Sequence, residues 1–365
     1  MSVMTETKNF KFLIKEENEN NYNLLEGLMP DHLKIIDVRA AMDTEDVLII
    51  IDSLLWSTNI NKDVVKERIK NNKPTKILID YAYETGLAEE DFDKKIVSVC
   101  KMGIPASDII WVLNRSANNA WMQKHSNQIC LIDLFAISAA VRHTIHGQPS
   151  SVVSVKDRPD KINFIVGNVN KPSRKQIIQS FYESELKDKS MFSFLGSIKT
   201  DNKKLKKFVD NNQGPLDGAE TFSQGDVISS QGWSNNSDVY DKSSVSFICE
   251  THDTNDSFFL TEKTYRTILN RHPFVLRAAF PALRYLNKLG FKTFDSLIDE
   301  SYDNLNDITK EYSDTLVSTC GKLLENIKGN EEQVEQIVNH NYNTLIELAK
   351  LDLARLNAAI FSKIT

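Results

Sequence analysis

Apolar residues over positions 1–150 arrive in short unbroken runs separated by charged segments. Asn9 to Ile14, Val47 to Asp52, Lys76 to Tyr81, Ile109 to Leu113 and Ile129 to Leu134 each have the length of a strand. Between them, Lys62 to Lys70 and Glu89 to Met102 carry apolar residues at helical spacing. Runs that are continuous rather than alternating belong to strands covered on both faces, so a parallel sheet flanked by helices is expected. Ser150 to Asp160, polar and containing Pro159, reads as a linker. A second α/β half then starts at Ile162. Gln213 to Ser244 is rich in Gly, Ser, Asn and Asp and has no period, which predicts a long loop. After Asp303 the pattern turns helical, with apolar faces on Tyr312 to Ile327 and Val334 to Ile360. The expected organisation is a first α/β domain over 1–155, a second over 160–310, and C-terminal helices over 311–365 that brace the two.

Chemistry concentrates late in the second half. Ser243 to Glu250 alternates and is rich in β-branched or aromatic residues, so it predicts a strand, and His252 to Ser257 is a polar turn. Thr261 can cap the helix that follows, placing Glu262 and Lys263 in its first turn before Arg271-His272-Pro273 ends it. Backbone N–H groups without partners at such a terminus favour a phosphate, and a lysine there adds a full positive charge. A carboxylate only accepts hydrogen bonds, so Glu262 beside a diphosphate suits hydroxyls such as those of a ribose. The plainer alternative is that Glu262 complements the helix dipole and Lys263 is solvated. Downstream, Pro273 to Ala278 predicts a buried strand, Pro281 to Lys288 a short amphipathic helix, and Gly290 its left-handed terminator.

This stretch resembles the C-terminal half of the α1,3-fucosyltransferases, whose pattern is an aromatic strand ending in Phe-Glu-Asn, a short loop, and Tyr-x-Thr-Glu-Lys. Here stand Phe247 and Glu250, then Phe259-Leu260-Thr261-Glu262-Lys263. A second block agrees with that family's Ser-Asn-x-Asn-x-x-x-Arg: Ile162-Asn163-Phe164-Ile165-Val166 leads into Gly167-Asn168-Val169-Asn170-Lys171-Pro172-Ser173-Arg174. The resemblance runs from Ile162 to Asp303. It departs at Thr251, where the family has Asn, and at Phe259, where it has Tyr, which removes a phenol hydrogen bond. The end of the segment resembles a phage and bacterial glycosyltransferase group through Pro273-Phe274, Leu289-Gly290-Phe291-Lys292-Thr293-Phe294 and Asp299-Glu300-Ser301-Tyr302-Asp303. Read physically, these last blocks are structural rather than catalytic. The resemblance implies two Rossmann-like domains facing across a cleft (the GT-B architecture) and an inverting, metal-independent transfer from a nucleoside diphosphate sugar. It implies Arg174 and Lys263 on the diphosphate, Glu262 on the ribose, and Glu250 near the sugar or supporting the loop, with Asn168, Thr261 and Phe259 lining the donor.

Length and composition fit such an enzyme. At 365 residues the chain exceeds one hydrophobic core, and 41% hydrophobic with 26% charged residues is the make-up of a soluble globular protein. No apolar run reaches the length of a membrane span, and the N-terminal stretch lacks signal-peptide character, so a cytoplasmic monomer without a membrane partner is expected. Cys100, Cys130, Cys249 and Cys320 show no ligand spacing, and no Asp-x-Asp pair suggests a metal; no cofactor beyond the donor is expected. His143 and His146 sit at helical spacing but have no third ligand nearby.

The general base for the acceptor is expected beyond the carboxyl end of a strand in the first half, which selects Asp52, Asp80, Glu84 and Asp133. Glu84 is favoured and Asp80 is next, because the strand Lys76 to Ile79 delivers both to a turn. For the acceptor, Lys203, Lys204, Lys206 and Lys207 form a local basic strip on a chain of net charge −6, with Lys171, Arg174, Lys175, Arg142, His143 and His146 as further contributors. On composition alone the strip reads as a solvated helix face; together with the resemblance to phage-type enzymes it points to hydroxylated bases in double-stranded DNA. A bacterial surface-glycan precursor is the alternative acceptor, and a non-catalytic nucleotide-sugar-binding protein is the alternative class.

Overall fold

The computed structural model describes residues 10–13, 33–36, 38–53, 62–81, 89–114, 129–132, 136, 153–213, 238–250, 260–278, 281–305 and 308–362. The chain divides into two compact units, Met1–Val141 with Ala349–Thr365, and Arg142–Leu348. Among the described residues each is built on one all-parallel sheet, so the architecture is α/β in both.

In the first unit the described elements are β1 (Phe10–Leu13), β2 (Leu33–Ile36), α1 (Val38–Asp43), β3 (Leu48–Ser53), α2 (Lys62–Lys70), β4 (Thr75–Tyr81), α3 (Glu89–Cys100), β5 (Ile109–Asn114) and β6 (Ile129–Ile132). The sheet order is β2-β1-β3-β4-β5-β6. Its continuous apolar runs are explained by burial on both faces. Leu48, Ile50, Ile77, Ile79, Ile109 and Trp111 share a core with Val64 and Val65 of α2 and Phe92 and Val99 of α3. The alternate residues Ile49, Leu78, Ile110 and Val112 are buried as well. Phe92 meets Trp111 edge to face at 5.1 Å.

The second unit carries β7 (Ile162–Asn168), α4 (Pro172–Glu183), β8 (Ser190–Leu195), α5 (Lys203–Asn211), α6 (Asp238–Asp241), β9 (Val245–Cys249), α7 (Glu262–Leu269), β10 (Phe274–Arg277), α8 (Ala282–Lys288), α9 (Lys310–Asn326) and the part of α10 (Glu331–Ser362) up to Leu348, the rest of that helix belonging to the first unit. Its sheet order is β10-β9-β7-β8. The chain builds β7, steps outward to β8, then returns past β7 to lay down β9 and β10. The strand order therefore reverses between β7 and β9, and in open parallel sheets that reversal opens a crevice at the carboxyl ends of the two strands. An aromatic cluster holds the sheet to α4: Phe181 stacks on Phe164 at 4.9 Å and meets Phe247 at 5.2 Å. Gly290 ends α8 at φ 93, a backbone conformation that residues with a side chain rarely adopt.

Three boundaries differ from expectation. The segment expected as a linker belongs to the second unit from Val153 onward, because the Glu335 carboxylate of α10 accepts from the backbone N–H of Val155 at 2.9 Å. Strands β2 and β8, absent from the apolar-run reading, complete the two sheets. The loop expected over Gln213 to Ser244 ends earlier, in α6, whose Val239 and Tyr240 are buried; residues 214–237 lie outside those described.

Candidate functional site

One side chain joins the carboxyl ends of β7 and β9. Pro172 starts α4, where a missing backbone N–H has no cost, and Arg174 follows in the first turn. Arg174 is 3% exposed, and its guanidinium spans both strand ends. Nη1 donates to the carbonyl of Asn168 at 3.2 Å, and Nη2 to the carbonyl of Glu250 at 3.3 Å. Its Nε is buried and has no hydrogen-bond partner. A guanidinium has five N–H donors, and an unused buried donor ordinarily signals a missing ligand or strain.

Glu250, next along β9, is 1% exposed and ties this corner to the start of α7. Its carboxylate accepts from the backbone N–H of Thr261 at 3.0 Å, from Thr261 Oγ1 at 2.6 Å and from Thr264 Oγ1 at 2.6 Å. A carboxylate at a helix N-terminus is stabilised by the helix dipole, and here it fixes where that terminus points. Thr261 caps α7 as its sequence suggests, accepting from the Lys263 backbone N–H at 3.4 Å. The same hydroxyl accepts from Lys263 Nζ at 3.1 Å, and Nζ also pairs with Glu262 Oε1 at 2.7 Å. The Lys263 and Glu262 side chains are 26% and 28% exposed, so both remain accessible to a ligand. Burial raises the Glu262 carboxyl pKa, but the charge and hydrogen bond of Lys263, with hydrogen bonds from its own backbone N–H and Thr261, together outweigh it and hold the group below its usual range. One hydrogen-bonded chain thus runs from Arg174 through Glu250 and Thr261 to Lys263 and Glu262.

Of the expected donor residues, Arg174, Glu250, Thr261, Glu262 and Lys263 come together in this way. Asn168 lies at the end of β7 and folds its side chain back onto the Asn170 N–H at 3.0 Å. Phe259 and Thr251 lie outside the described residues. Glu250 acts on the helix rather than facing outward, since its carboxylate is engaged by Thr261 and Thr264. Asp52 and Asp80 fall toward the carboxyl ends of the neighbouring strands β3 and β4, where Asp52 is in register with Ile79 and Asp80 with Ser53. Glu84, Asp133, Arg142, His143 and His146 lie outside the described residues. Lys203, Lys204, Lys206 and Lys207 are exposed on α5, whose Leu205 and Val209 face inward. Lys206 pairs with Asp210 at 2.8 Å, which leaves Lys203, Lys204 and Lys207 facing solvent.

The Asp299 to Asp303 block serves the backbone. Asp299 accepts from Ser301 N–H, Glu300 from Phe294 N–H at 2.8 Å, and Asp303 from the N–H groups of Leu283 and Arg284 at the start of α8. At the amino ends of the same strands lies a network that the sequence pattern did not flag. His272, 1% exposed, pairs through Nδ1 with Ser246 Oγ at 2.8 Å and through Nε2 with the Ser243 carbonyl at 2.8 Å. Asn163 donates to both Ser243 Oγ and Ser246 Oγ. Burial, reinforced by the Arg158 cation, lowers the His272 pKa to about 3, so the imidazole stays neutral.

No family model matches the chain, and no curated protein matches it. Among solved structures it is similar to the S. aureus MnaA–UDP co-structure, at 12% identity and TM-score 0.39 over 91% of this chain and 95% of that one. It is also similar to the α,α-trehalose 6-phosphate synthase of Burkholderia multivorans, at 13% identity and TM-score 0.41 over 95% of this chain and 79% of that one. The α,α-trehalose-phosphate synthase (UDP-forming) of Burkholderia vietnamiensis stands at 10% identity and TM-score 0.39 over 95% of this chain and 77% of that one. Superpositions this loose decide neither fold nor activity, which rest on the residues themselves.

Proposed function

We propose that the chain is a GT-B glycosyltransferase that takes a sugar from a nucleoside diphosphate and passes it, with inversion and without a metal, to an acceptor hydroxyl. The observation that carries this reading is the unpartnered Nε of buried Arg174, linked through Glu250 to the Thr261-Glu262-Lys263 helix start at the point where the strand order reverses. A leaving diphosphate develops charge as its bond to the anomeric carbon breaks. A guanidinium and an ammonium already on the diphosphate when that bond breaks stabilise the charge without further reorganisation. Glu262 accepts from ribose hydroxyls, and Glu250 keeps the helix terminus aimed.

In the first unit Glu84, with Asp80 as the alternative, takes the proton from the acceptor hydroxyl. The freed oxygen then attacks the anomeric carbon from the side opposite the diphosphate. Glu84→Gln is expected to keep donor binding and lose transfer by about 10³-fold; near-normal turnover would remove Glu84 from the scheme. Donor hydrolysis in the wild type that Lys263→Ala abolishes separates an enzyme from a non-catalytic binding protein.

As acceptor we place a hydroxymethylated base in double-stranded DNA first, supported by the exposed lysines of α5 and by the resemblance to phage-type enzymes. A base of that kind leaves the stack to react, so the enzyme holds the backbone while the base enters the site. Incorporation of labelled sugar into hydroxymethylated DNA, compared with lipid and oligosaccharide acceptors, decides it. Transfer only to the latter would favour the glycan reading that the likeness to α1,3-fucosyltransferases suggests.

A further inference from the structure

Without ligand, the cation best placed for a phosphate is already paired. Lys263 Nζ lies 2.7 Å from Glu262 Oε1 and 3.1 Å from Thr261 Oγ1. Glu262 and Lys263 are neighbours in the first turn of α7, and Thr261 is held from behind by the buried Glu250 carboxylate. The lysine therefore cannot leave Glu262 by moving the helix. It must rotate its own side chain, and Glu262 then loses its charged partner and keeps only its own N–H and Thr261 as donors.

We propose that Glu262 is a specificity gate: it competes with phosphate for Lys263 and gives way only to a ligand that also brings vicinal hydroxyls. This rests on the nucleotide-sugar reading of the site. A bare diphosphate arriving at Lys263 meets a carboxylate that loses its ammonium partner and stands beside new negative charge. Both effects oppose binding in a partly buried place, where charge is poorly screened. A nucleoside diphosphate meets the same carboxylate but donates ribose O–H groups to it, replacing the lost hydrogen bond with two others. Glu262 thus reports on the sugar ring of the nucleoside while Lys263 reports on the phosphate, and the 2.7 Å pair makes each depend on the other. Arg174 is outside this competition, because its two bonds are to backbone carbonyls and its Nε has no partner to surrender. The carboxyl pKa of Glu262, held low by Lys263, keeps the competitor charged at neutral pH.

The test measures affinity for three probes by calorimetry: the tightest-binding nucleoside diphosphate from a panel, its 2′,3′-dideoxy analogue, and inorganic pyrophosphate. In the wild type the nucleoside diphosphate should bind far more tightly than the other two. In Glu262→Gln, pyrophosphate and the dideoxy analogue should bind about tenfold more tightly than in the wild type, while the full nucleoside diphosphate gains nothing, so the preference collapses. Glu262→Asp, which retains the charge, should keep the preference. Unchanged or weaker pyrophosphate binding in Glu262→Gln, with the nucleoside diphosphate still bound by the wild type, would overturn the gate alone. Absence of binding by every nucleoside diphosphate to the wild type would overturn the nucleotide-sugar reading together with it. Unliganded melting of each variant confirms that a change in affinity is not a loss of fold.

Discussion

The two ends of the second sheet are both polar and both buried, yet they are built differently. At the amino ends, Asn163, Ser243, Ser246 and His272 form a network in which each side chain is answered by another or by a backbone carbonyl. At the carboxyl ends, Arg174 keeps a buried donor unused, and Lys263 and Glu262 stay partly exposed. The first unit supplies a reference for what a structural arginine looks like. Arg68, fully buried, donates from Nε to Thr75 Oγ1, from Nη1 to the carbonyls of Ala41 and Thr44, and from Nη2 to those of Asp46 and Pro74. All of its donor capacity is matched, at 2.6 to 2.9 Å. Arg174 makes two longer bonds, at 3.2 and 3.3 Å. Arg158, beside His272 at the amino ends, also has a buried Nε without a partner, so what sets Arg174 apart is its place where the strand order reverses, linked to the partly exposed Lys263 and Glu262.

The largest expected effect breaks the comparison at its reference. Arg68→Met takes the guanidinium donors from the carbonyls of Ala41, Thr44 and Asp46, while Pro74 keeps the Leu48 N–H and Thr75 its bond to Lys73, and should lower unfolding stability by about 3 kcal/mol in urea denaturation, with nucleoside diphosphate affinity of the folded protein unchanged. Lys263→Ala should do the reverse. Its stability should change by less than about 1 kcal/mol because the side chain is partly exposed, while nucleoside diphosphate affinity falls about 100-fold in calorimetry.

The closed end should reveal itself through pH. The folded pKa of His272, about 3, lies below its ordinary 6.5, so between those values the unfolded chain binds a proton that the folded chain refuses. Its contribution is therefore complete above pH 6.5 and is lost as pH falls toward 3, and from pH 7 to pH 5 it amounts to roughly 2 kcal/mol. Stability curves of wild type and His272→Asn over that window check this; the variant should show a shallower decline. The smallest effect sharpens the role given to Glu250. Thr264→Val removes one of its hydrogen bonds, at 2.6 Å, and should cost about 1 kcal/mol of stability, with a donor-affinity loss well below that of Lys263→Ala.

Much of this was legible before any coordinates. The parallel sheet of the first unit follows from runs such as Leu48 to Ile50 and Ile77 to Ile79, because a strand covered on both faces has no polar side to alternate. The Thr261 cap and the first turn it starts were equally plain, since capping is a local matter between neighbours. What stayed hidden depends on distance along the chain. Glu250 finds its partners eleven and fourteen residues on, Arg174 reaches a carbonyl 76 residues away, and His272 meets Ser246 across 26 residues. Nothing in the local pattern distinguishes a carboxylate that will grip a ligand from one that will hold a helix. Strand β8, Ser190–Leu195, escaped because Ser193 splits its apolar residues into two short pairs, Met191-Phe192 and Phe194-Leu195, directly after a charged 3₁₀ segment.

The central claim is that Arg174 and Lys263 hold one diphosphate together, and a double-mutant cycle on nucleoside diphosphate affinity, measured by calorimetry with Arg174→Met, Lys263→Ala and the pair, tests it most directly. The account predicts a large loss from each single change and a combined loss that departs from their sum by about 1 kcal/mol, as groups converging on one ligand do. Unaltered affinity in Lys263→Ala, or losses that simply add, would contradict it.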